Sequence, residues 1–252
     1  MNEFIENPNL PESKVSLAIC GRHNDIILDF IKSQGIELIF SDNNTLLDNS
    51  VMNHADLCAH HTGGKDIIVD CNNHELYKIL REMGMNVLRT EKGVKSPYPF
   101  DCALNCFKAG NHLFCNYSIT DKTLLTSYKT FKPACVKQGY CKCSTLLLNN
   151  NCFITDDITI FNKGKELLFN CLLIGKGDVF LEGYDYGFIG GACAKIDKST
   201  ILFFGDITKH RSFNQIDNFI KSSGMSYIYS KDFPLTDIGG IIPLKQKISV
   251  IN

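Results

Sequence analysis

The 252-residue sequence has almost no excess of charge of either sign. It contains 26 lysines and arginines against 27 aspartates and glutamates, which gives a net charge of −1 and a pI near 6.6. Proteins that bind nucleic acid or an anionic membrane through their overall charge usually carry a clear basic excess. The sequence therefore predicts neither a nucleic-acid partner nor a membrane partner.

Long apolar runs are also absent. The most apolar stretch, LLFNCLLIG, is short and is interrupted by Asn170, whereas a transmembrane helix needs about 20 apolar residues. The first residues, MNEFIENPNLPESK, are polar and contain two prolines, which is typical of neither a signal peptide nor a transit peptide. We therefore expect a loose leader over residues 1–13 and a cytoplasmic protein.

Paired C-x-x-C motifs are missing although the chain has 12 cysteines. The cysteines are scattered, and several lie in apolar, strand-like runs such as NHLFCN and NNCFIT. Without an export signal, such cysteines are expected to be reduced and to act as small buried apolar side chains.

What the sequence does contain is a repeated phrase. DFIKSQGIELIFS (29–41) and NFIKSSGMSYIYS (218–230) share seven of thirteen residues, and YKILREMGMNVLRT (77–90) is a third copy. Each phrase predicts the end of an amphipathic helix, a glycine cap at Gly35 or Gly84, and a strand. Two weaker helical patterns cover 121–131 and 159–169, so we expect five helices.

Short apolar strands precede four of these helices, and a matching run lies near the end of the chain. They are DIIVDC (66–71), HLFCN (112–116), CFITD (152–156), TILFF (200–204) and KISVI (247–251). Each follows a turn and an earlier strand, and these earlier strands are HADLCAHH (54–61), CALNCFK (102–108), KCSTLLL (142–148), GGACAKI (190–196) and DIGGIIPL (237–244). The second strands start 40 to 48 residues apart, which indicates a repeated strand–turn–strand–helix–strand unit.

The two ends of the chain carry incomplete units. The first unit lacks its opening hairpin and the last lacks its helix, so the C-terminal hairpin is expected to join VSLAIC (15–20) and the first helix. A solenoid would instead cap its ends. We therefore predict one domain over residues 14–252, a five-bladed pseudo-symmetric α/β propeller of ββαβ units that is closed by both termini.

Taken together, the five ββαβ units and the motifs HADLCAHHTGG, GYCKCST, GYDYGFIGGA and DIGGIIPL resemble an uncharacterised bacterial family of the pentein fold. This is the fold of guanidino-group-modifying enzymes such as arginine deiminase, agmatine deiminase and the amidinotransferases. The resemblance implies a cofactor-free hydrolase or transferase that acts on a C–N bond of a small guanidino or amidino compound. A cysteine in these enzymes attacks the guanidinium carbon, a histidine moves protons and carboxylates hold the cation.

The resemblance also assigns candidate catalytic residues. His54 and Asp56 fit the H-x-D motif of these enzymes, and Cys143, followed by Ser144, lies two units later. We expect Cys143 to be the nucleophile, His54 the proton carrier, and Asp56 either a group that orients the imidazole or a clamp for a substrate N–H. Lys142 could lower the thiol pKa, but on a strand its side chain should point to the opposite face.

Substrate-binding residues are harder to assign, because the E-G-G-D motif of these enzymes does not stand before H-x-D. The nearest phrase, from Glu182 to Asp185, follows the cysteine and contains Tyr184. Carboxylates for the cation could come from Asp101, Asp185 and Asp237, each at or near the start of a first strand, and Tyr184 could form the rim.

Two other functions fit the residues. His54, Asp56, Cys58 and His60 would share one face of a strand and could bind a metal. The same fold can also act without catalysis as a binding module. Rapid labelling of Cys143 at neutral pH would favour the enzyme, and slow labelling limited by exposure would favour the binding module.

Overall fold

A computed structural model describes residues 1–248, which form a mixed α/β fold. The strands are β1 (Asn2–Phe4), β2 (Val15–Cys20), β3 (Glu37–Phe40), β4 (Ala59–Gly63), β5 (Asp66–Val69), β6 (Asn86–Arg89), β7 (Phe107–Ala109), β8 (His112–Cys115), β9 (Lys132–Cys135), β10 (Thr145–Asn149), β11 (Cys152–Thr155), β12 (Asn170–Leu173), β13 (Cys193–Lys195), β14 (Thr200–Phe203), β15 (Ser226–Ile228) and β16 (Ile241–Lys247). The α-helices are α1 (Asp25–Ser33), α2 (Ala55–Cys58), α3 (His74–Glu82), α4 (Lys122–Ser127), α5 (Ile158–Glu166) and α6 (Phe213–Ser222).

These strands form five small sheets, one for each predicted unit. Four sheets have three strands, in the orders β4-β5-β6, β7-β8-β9, β10-β11-β12 and β13-β14-β15. In each, the first two strands form an antiparallel hairpin, and a helix connects the second strand to a parallel third strand. The five sheets fit the predicted five-unit pseudo-symmetric arrangement.

The fifth sheet, β1-β16-β2-β3, joins the two ends of the described chain. β16 pairs antiparallel with β2 through Ile241 and Cys20, so the predicted joining of the ends through VSLAIC is confirmed. Closure of all five sheets into one propeller stays a prediction. The turn expected between the strands 237–244 and 247–251 is wrong, because β16 continues from Ile241 to Lys247, and residues 249–251 of the predicted second strand lie outside the described residues.

The N-terminal segment is not a loose leader in the structure. β1 pairs with β16, with Asn2 opposite Lys247. Ile5 and Leu10 are also buried, with exposed fractions of 1% and 4%. Because the segment is mostly polar, its composition did not indicate that Ile5 and Leu10 attach it to the core.

The five predicted helices are present as α1, α3, α4, α5 and α6. Gly35, Gly84 and Gly224 follow the helices of the three repeated phrases with φ of +79°, +81° and +72°, a backbone region that favours glycine. Buried side chains of α1, such as Ile31, pack with Leu202 of β14, so the units with the two most similar phrases are neighbours. Within residues 1–248, no helix combines the length and apolarity needed to cross a membrane.

Every first strand begins later than predicted. The clearest case is HADLCAHH, where Ala55–Cys58 form the short helix α2 and the strand starts only at Ala59. Likewise Thr145, the first residue of β10, donates its N–H to the carbonyl of Lys142 and ends a turn. The residues just before the first strands therefore form turns, and these turns carry the candidate site.

Candidate active site

The candidate site is built from equivalent positions in the repeated units. Asp56 and Lys142 each lie three residues before a first strand, while Asn105 and Cys143 each lie two residues before one. Although these residues come from three different units, their side chains are in hydrogen-bond contact. The repeat thus places residues that are far apart in the sequence at one point.

The thiol of Cys143 has two side-chain partners. Its Sγ donates to Asp56 Oδ2 at 2.9 Å and accepts from Asn105 Nδ2 at 2.9 Å. Asn105 Oδ1 also accepts from the backbone N–H groups of Lys142 and Cys143, at 2.9 and 3.0 Å. Asn105 therefore fixes the turn that presents the thiol. The sequence reasoning missed Asn105, which could have been found because it has the same register position as Cys143.

The prediction that the Lys142 side chain points away from the thiol is wrong, because it assumed that Lys142 lies on a strand. Lys142 lies in a turn, and its Nζ donates to Asp56 Oδ2 and to the carbonyl of Gly190, both at 3.2 Å. Burial lowers the pKa of Lys142, but the Asp56 carboxylate and nearby cysteines outweigh this and leave the pKa raised. Lys142 and Asp56 thus form a buried ion pair that is neutral as a whole.

Asp56 accepts hydrogen bonds from Lys142 and from Cys143, and no hydrogen bond joins it to His54 in the described part of the chain. Burial and then the Asp56 carboxylate raise the pKa of Cys143 well above 9, and the smaller effect of Lys142 in the other direction does not reverse this. The free protein therefore holds Cys143 as a neutral thiol at pH 7.

His54 and Asp237 form the second half of the site. His54 Nδ1 lies 3.9 Å from Asp237 Oδ1, and its buried Nε2 has no hydrogen-bond partner among residues 1–248. Burial lowers the pKa of His54 to about 4, so the imidazole is neutral at pH 7 and this contact is not an ion pair. Asp237 accepts backbone N–H groups from Phe188 and Gly239, at 2.8 and 2.9 Å, while burial raises its pKa.

A cavity of about 270 Å³ brings the two halves together. Of the predicted site residues, Cys143, His54, Asp237, Asp185 and Tyr184 line this cavity. The remaining lining residues are apolar or aromatic: Val51, Leu57, Tyr140, Leu181, Tyr186 and Phe188.

Two predicted residues do not line the cavity. Asp56 accepts hydrogen bonds from the Cys143 thiol and the Lys142 ammonium, and it is not among the lining residues. Asp101 accepts from the hydroxyl of Tyr140 at 2.7 Å and so supports a cavity wall. Burial raises the pKa of Asp101.

The predicted metal site is wrong. His54, Asp56 and Cys58 lie in or beside α2, so they do not share a strand face with His60. The ring of His60 instead contacts the carbonyl of Leu104 and the hydroxyl of Tyr128, at 3.1 and 3.0 Å. Over residues 1–248, no three His, Cys, Asp or Glu side chains are grouped so that they could hold a metal ion.

Comparison with known proteins identifies the family, because a family of unknown function, DUF6873, matches residues 18–242. The chain belongs to the DUF6873 family. No curated protein matches the sequence. Residues 18–242 contain all the candidate catalytic residues, so the site lies within the part that defines DUF6873.

Solved structures similar to this DUF6873 chain include an amidinotransferase, a DDAH and an agmatine deiminase. The inosamine-phosphate amidinotransferase of Streptomyces griseus has a TM-score of 0.59 and 11% identity, with 96% of this chain and 97% of that chain covered. DDAH from Pseudomonas aeruginosa has a TM-score of 0.55 and 10% identity, with 93% of this chain and 100% of that chain covered. Agmatine deiminase of C. jejuni has a TM-score of 0.52 and 10% identity, with 90% of each chain covered. At these identities the likeness shows the fold, and the predicted pentein fold is confirmed.

Proposed function

We propose that this protein is a cysteine-dependent hydrolase or transferase that acts on a C–N bond of a small guanidino or amidino compound. The observation that carries the proposal is that Cys143, His54 and Asp237, from three different units, line one cavity. A nucleophile, a proton carrier and a carboxylate are the groups that attack on a planar cation requires.

The names of similar structures support this reading. DDAH from Pseudomonas aeruginosa was solved as a cysteine-to-serine variant in complex with citrulline. Agmatine deiminase of C. jejuni was solved as a cysteine-to-serine variant with its substrate bound.

Substrate binding supplies the charge that the free site lacks. Since Lys142 already neutralises Asp56, the buried carboxylate left for a cation is Asp237, with Asp185 at the exposed mouth. A guanidinium beside Cys143 favours the thiolate, because a nearby positive charge lowers a thiol pKa. The nucleophile therefore forms only when substrate is present, which protects it from oxidation in the free protein.

We propose the following chemical steps, with His54 as the proton carrier. His54 takes the thiol proton, and the thiolate attacks the central carbon to give a tetrahedral adduct. His54 returns the proton to the departing amine as the C–N bond breaks, which leaves a thiouronium on Cys143. His54 then takes a proton from water, or from an acceptor amine in a transferase, and the new C–O or C–N bond displaces the thiolate, which is reprotonated.

Asp56 and Lys142 have supporting roles in this mechanism. Asp56 Oδ2 accepts a hydrogen bond from the thiol of Cys143 at 2.9 Å in the free protein, and Lys142 donates to the same oxygen at 3.2 Å. They thus position Cys143, whereas Asp237 receives the clamp role that the sequence had offered to Asp56. Asp101 acts through Tyr140, and Tyr184 forms the rim with Asp185.

Two alkylating reagents of almost the same shape test the proposal. 2-Chloroacetamidine is a cation and 2-chloroacetamide is its neutral isostere, and both alkylate a thiolate with loss of chloride. We expect the cation to label Cys143 at least about tenfold faster, as measured by intact mass and peptide mapping, because only the cation pairs with Asp237 and favours the thiolate. Asp237→Asn should remove most of this preference.

The exposed Cys135 is the internal control, since its labelling should not depend on Asp237. A panel of guanidino and amidino compounds then tests turnover, with Cys143→Ala as the inactive reference. Equal labelling of Cys143 by both reagents, or turnover that survives Cys143→Ala, would refute the mechanism and leave the non-catalytic binding module.

We also propose that the five sheets close into a single propeller domain and that the protein is cytoplasmic. Closure is supported by the β16–β2 pairing, and a reducing compartment by the 12 free cysteines. Deletion of residues 237–252 should abolish soluble folding, because it removes the strand between β1 and β2. A soluble, cooperatively folded deletion variant would contradict closure.

A further inference from the structure

The charges around the cavity limit which substrates fit it. Two lining residues, Asp185 and Asp237, are acidic, and none of the lining residues in the described part of the chain is lysine or arginine. His54 is neutral at pH 7, because burial lowers its pKa to about 4. The cavity therefore offers no positive group to a substrate carboxylate.

Two nearby lysines, Lys142 and Lys176, are not among the lining residues of the cavity. The ammonium of Lys142 is held by Asp56 and the carbonyl of Gly190. The ammonium of Lys176 lies 6.0 Å from the ring centre of Tyr186 and 3.9 Å from the Asp157 carboxylate.

The walls favour an apolar tail. The rings of Tyr140 and Phe188 have centres 5.5 Å apart, and those of Phe188 and Tyr186 are 6.3 Å apart, which makes a continuous aromatic surface. Leu57 and Leu181 line the same cavity. Aromatic faces bind both apolar groups and cations, and a volume of about 270 Å³ limits the ligand to a small molecule.

We infer that the substrate is a guanidinium or amidinium cation with a short apolar or aromatic tail and no carboxylate. The inference rests on the proposed function but goes beyond it, because an amino-acid guanidine such as arginine would place its carboxylate in a cavity whose only charged lining groups, among the described residues, are acidic. Guanidines and amidines whose tail carries no carboxylate lack this conflict.

Matched ligand pairs test the inference by calorimetry on Cys143→Ser, which separates binding from turnover. The pairs are butylguanidine with 4-guanidinobutanoate, and benzamidine with 4-amidinobenzoate. We expect the member without the carboxylate to bind at least about tenfold more tightly in each pair, and benzamide, the neutral isostere of benzamidine, to bind weakly. Equal or tighter binding of the carboxylates would overturn the inference.

A change at the rim provides the complementary test. Tyr184, which is 48% exposed at the mouth, can be replaced by arginine with little disturbance of the core. Tyr184→Arg should reduce the discrimination within each pair severalfold, and the control Tyr184→Phe should leave it unchanged; unchanged discrimination in Tyr184→Arg would count against the charge argument.

These outcomes separate the two proposals. Discrimination in binding without turnover by the unmodified protein would refute the enzymatic function and retain the cation specificity. Turnover of 4-guanidinobutanoate as fast as butylguanidine would retain the enzymatic function and refute the inference, and no binding by any member would overturn both.

Discussion

Removal of the buried ammonium of Lys142 should strongly destabilise the protein. The side chains of Lys142 and Asp56 are only 13% and 3% exposed, and Asp56 Oδ2 has no donors other than Lys142 and the weak donor Cys143 within the described structure. Asp56 Oδ1 is buried and has no hydrogen-bond partner in the described part of the chain. Breaking a buried pair of this kind costs about 3–5 kcal/mol, and we expect Lys142→Met and Asp56→Asn each to fall in this range.

A double-mutant cycle measured by urea unfolding gives the pair's coupling. Lys142→Met combined with Asp56→Asn should cost clearly less than the sum of the single changes, because no buried charge remains unpaired. Lys221, whose side chain is 66% exposed and pairs with Asp217 at 2.8 Å, is the surface control. Lys221→Met should cost less than about 0.5 kcal/mol, and a similarly small cost for Lys142→Met would refute the reasoning.

Three further predictions address strain, pH and thiol exposure. Gly239→Ala should lower the free energy of unfolding by clearly more than Gly84→Ala. Both glycines have positive φ, +69° and +81°, which costs a non-glycine residue about 1–2 kcal/mol, but only at Gly239 would a Cβ lie 2.5 Å from His54 Cβ. Equal costs of the two changes would contradict this prediction. Burial raises the pKa of Asp156 to about 7, so the folded protein keeps a proton that the unfolded chain loses near pH 4. The stability of the protein relative to Asp156→Asn should therefore fall as the pH rises from 4 to 7. A difference in urea midpoints that does not change with pH would refute this prediction. Iodoacetamide at pH 7 should label the exposed Cys135 first in the native protein, as read by peptide mapping, and rapid labelling of the buried Cys143 would show that its thiol is not held as described.

The period of the sequence was sufficient to predict the units, because local signals define them. Gly35 and Gly84 end amphipathic helices, and each such helix connects two strands of the same sheet. The resemblance to guanidino-group enzymes paired His54 with Cys143, two units apart, and both residues line the same cavity. Their catalytic roles stay a prediction.

The starts of the first strands could not be predicted in the same way. Apolar residues such as Leu57 continue without a break from the turn into the strand, so alternation gives no signal at the boundary. What holds the turn at Cys143 is a tertiary contact, the acceptance of two backbone N–H groups by Asn105. The wrong boundary is also why Lys142 was expected to point away from the Cys143 thiol.

The structure also changes the labelling rate expected for Cys143 in the free protein. The residue types predicted a reactive cysteine beside a lysine, but the structure places the carboxylate of Asp56 between them. Since burial and Asp56 raise the pKa of Cys143, slow labelling of the free protein no longer argues against an enzyme. The comparison between a cationic and a neutral reagent is therefore the informative one.

The position of β16 between β1 and β2 has a consequence for synthesis of the chain. β2 and β16 pair through residues that are more than 200 positions apart in the sequence. At about 5–20 residues per second, the ribosome needs roughly 10–45 s to produce β16 after β2 has been made. Throughout that interval the apolar strand VSLAIC has one unpaired edge, which is a target for chaperones and for aggregation. We therefore expect the yield of soluble protein in cells to depend on chaperone capacity more than on the stability of the finished fold.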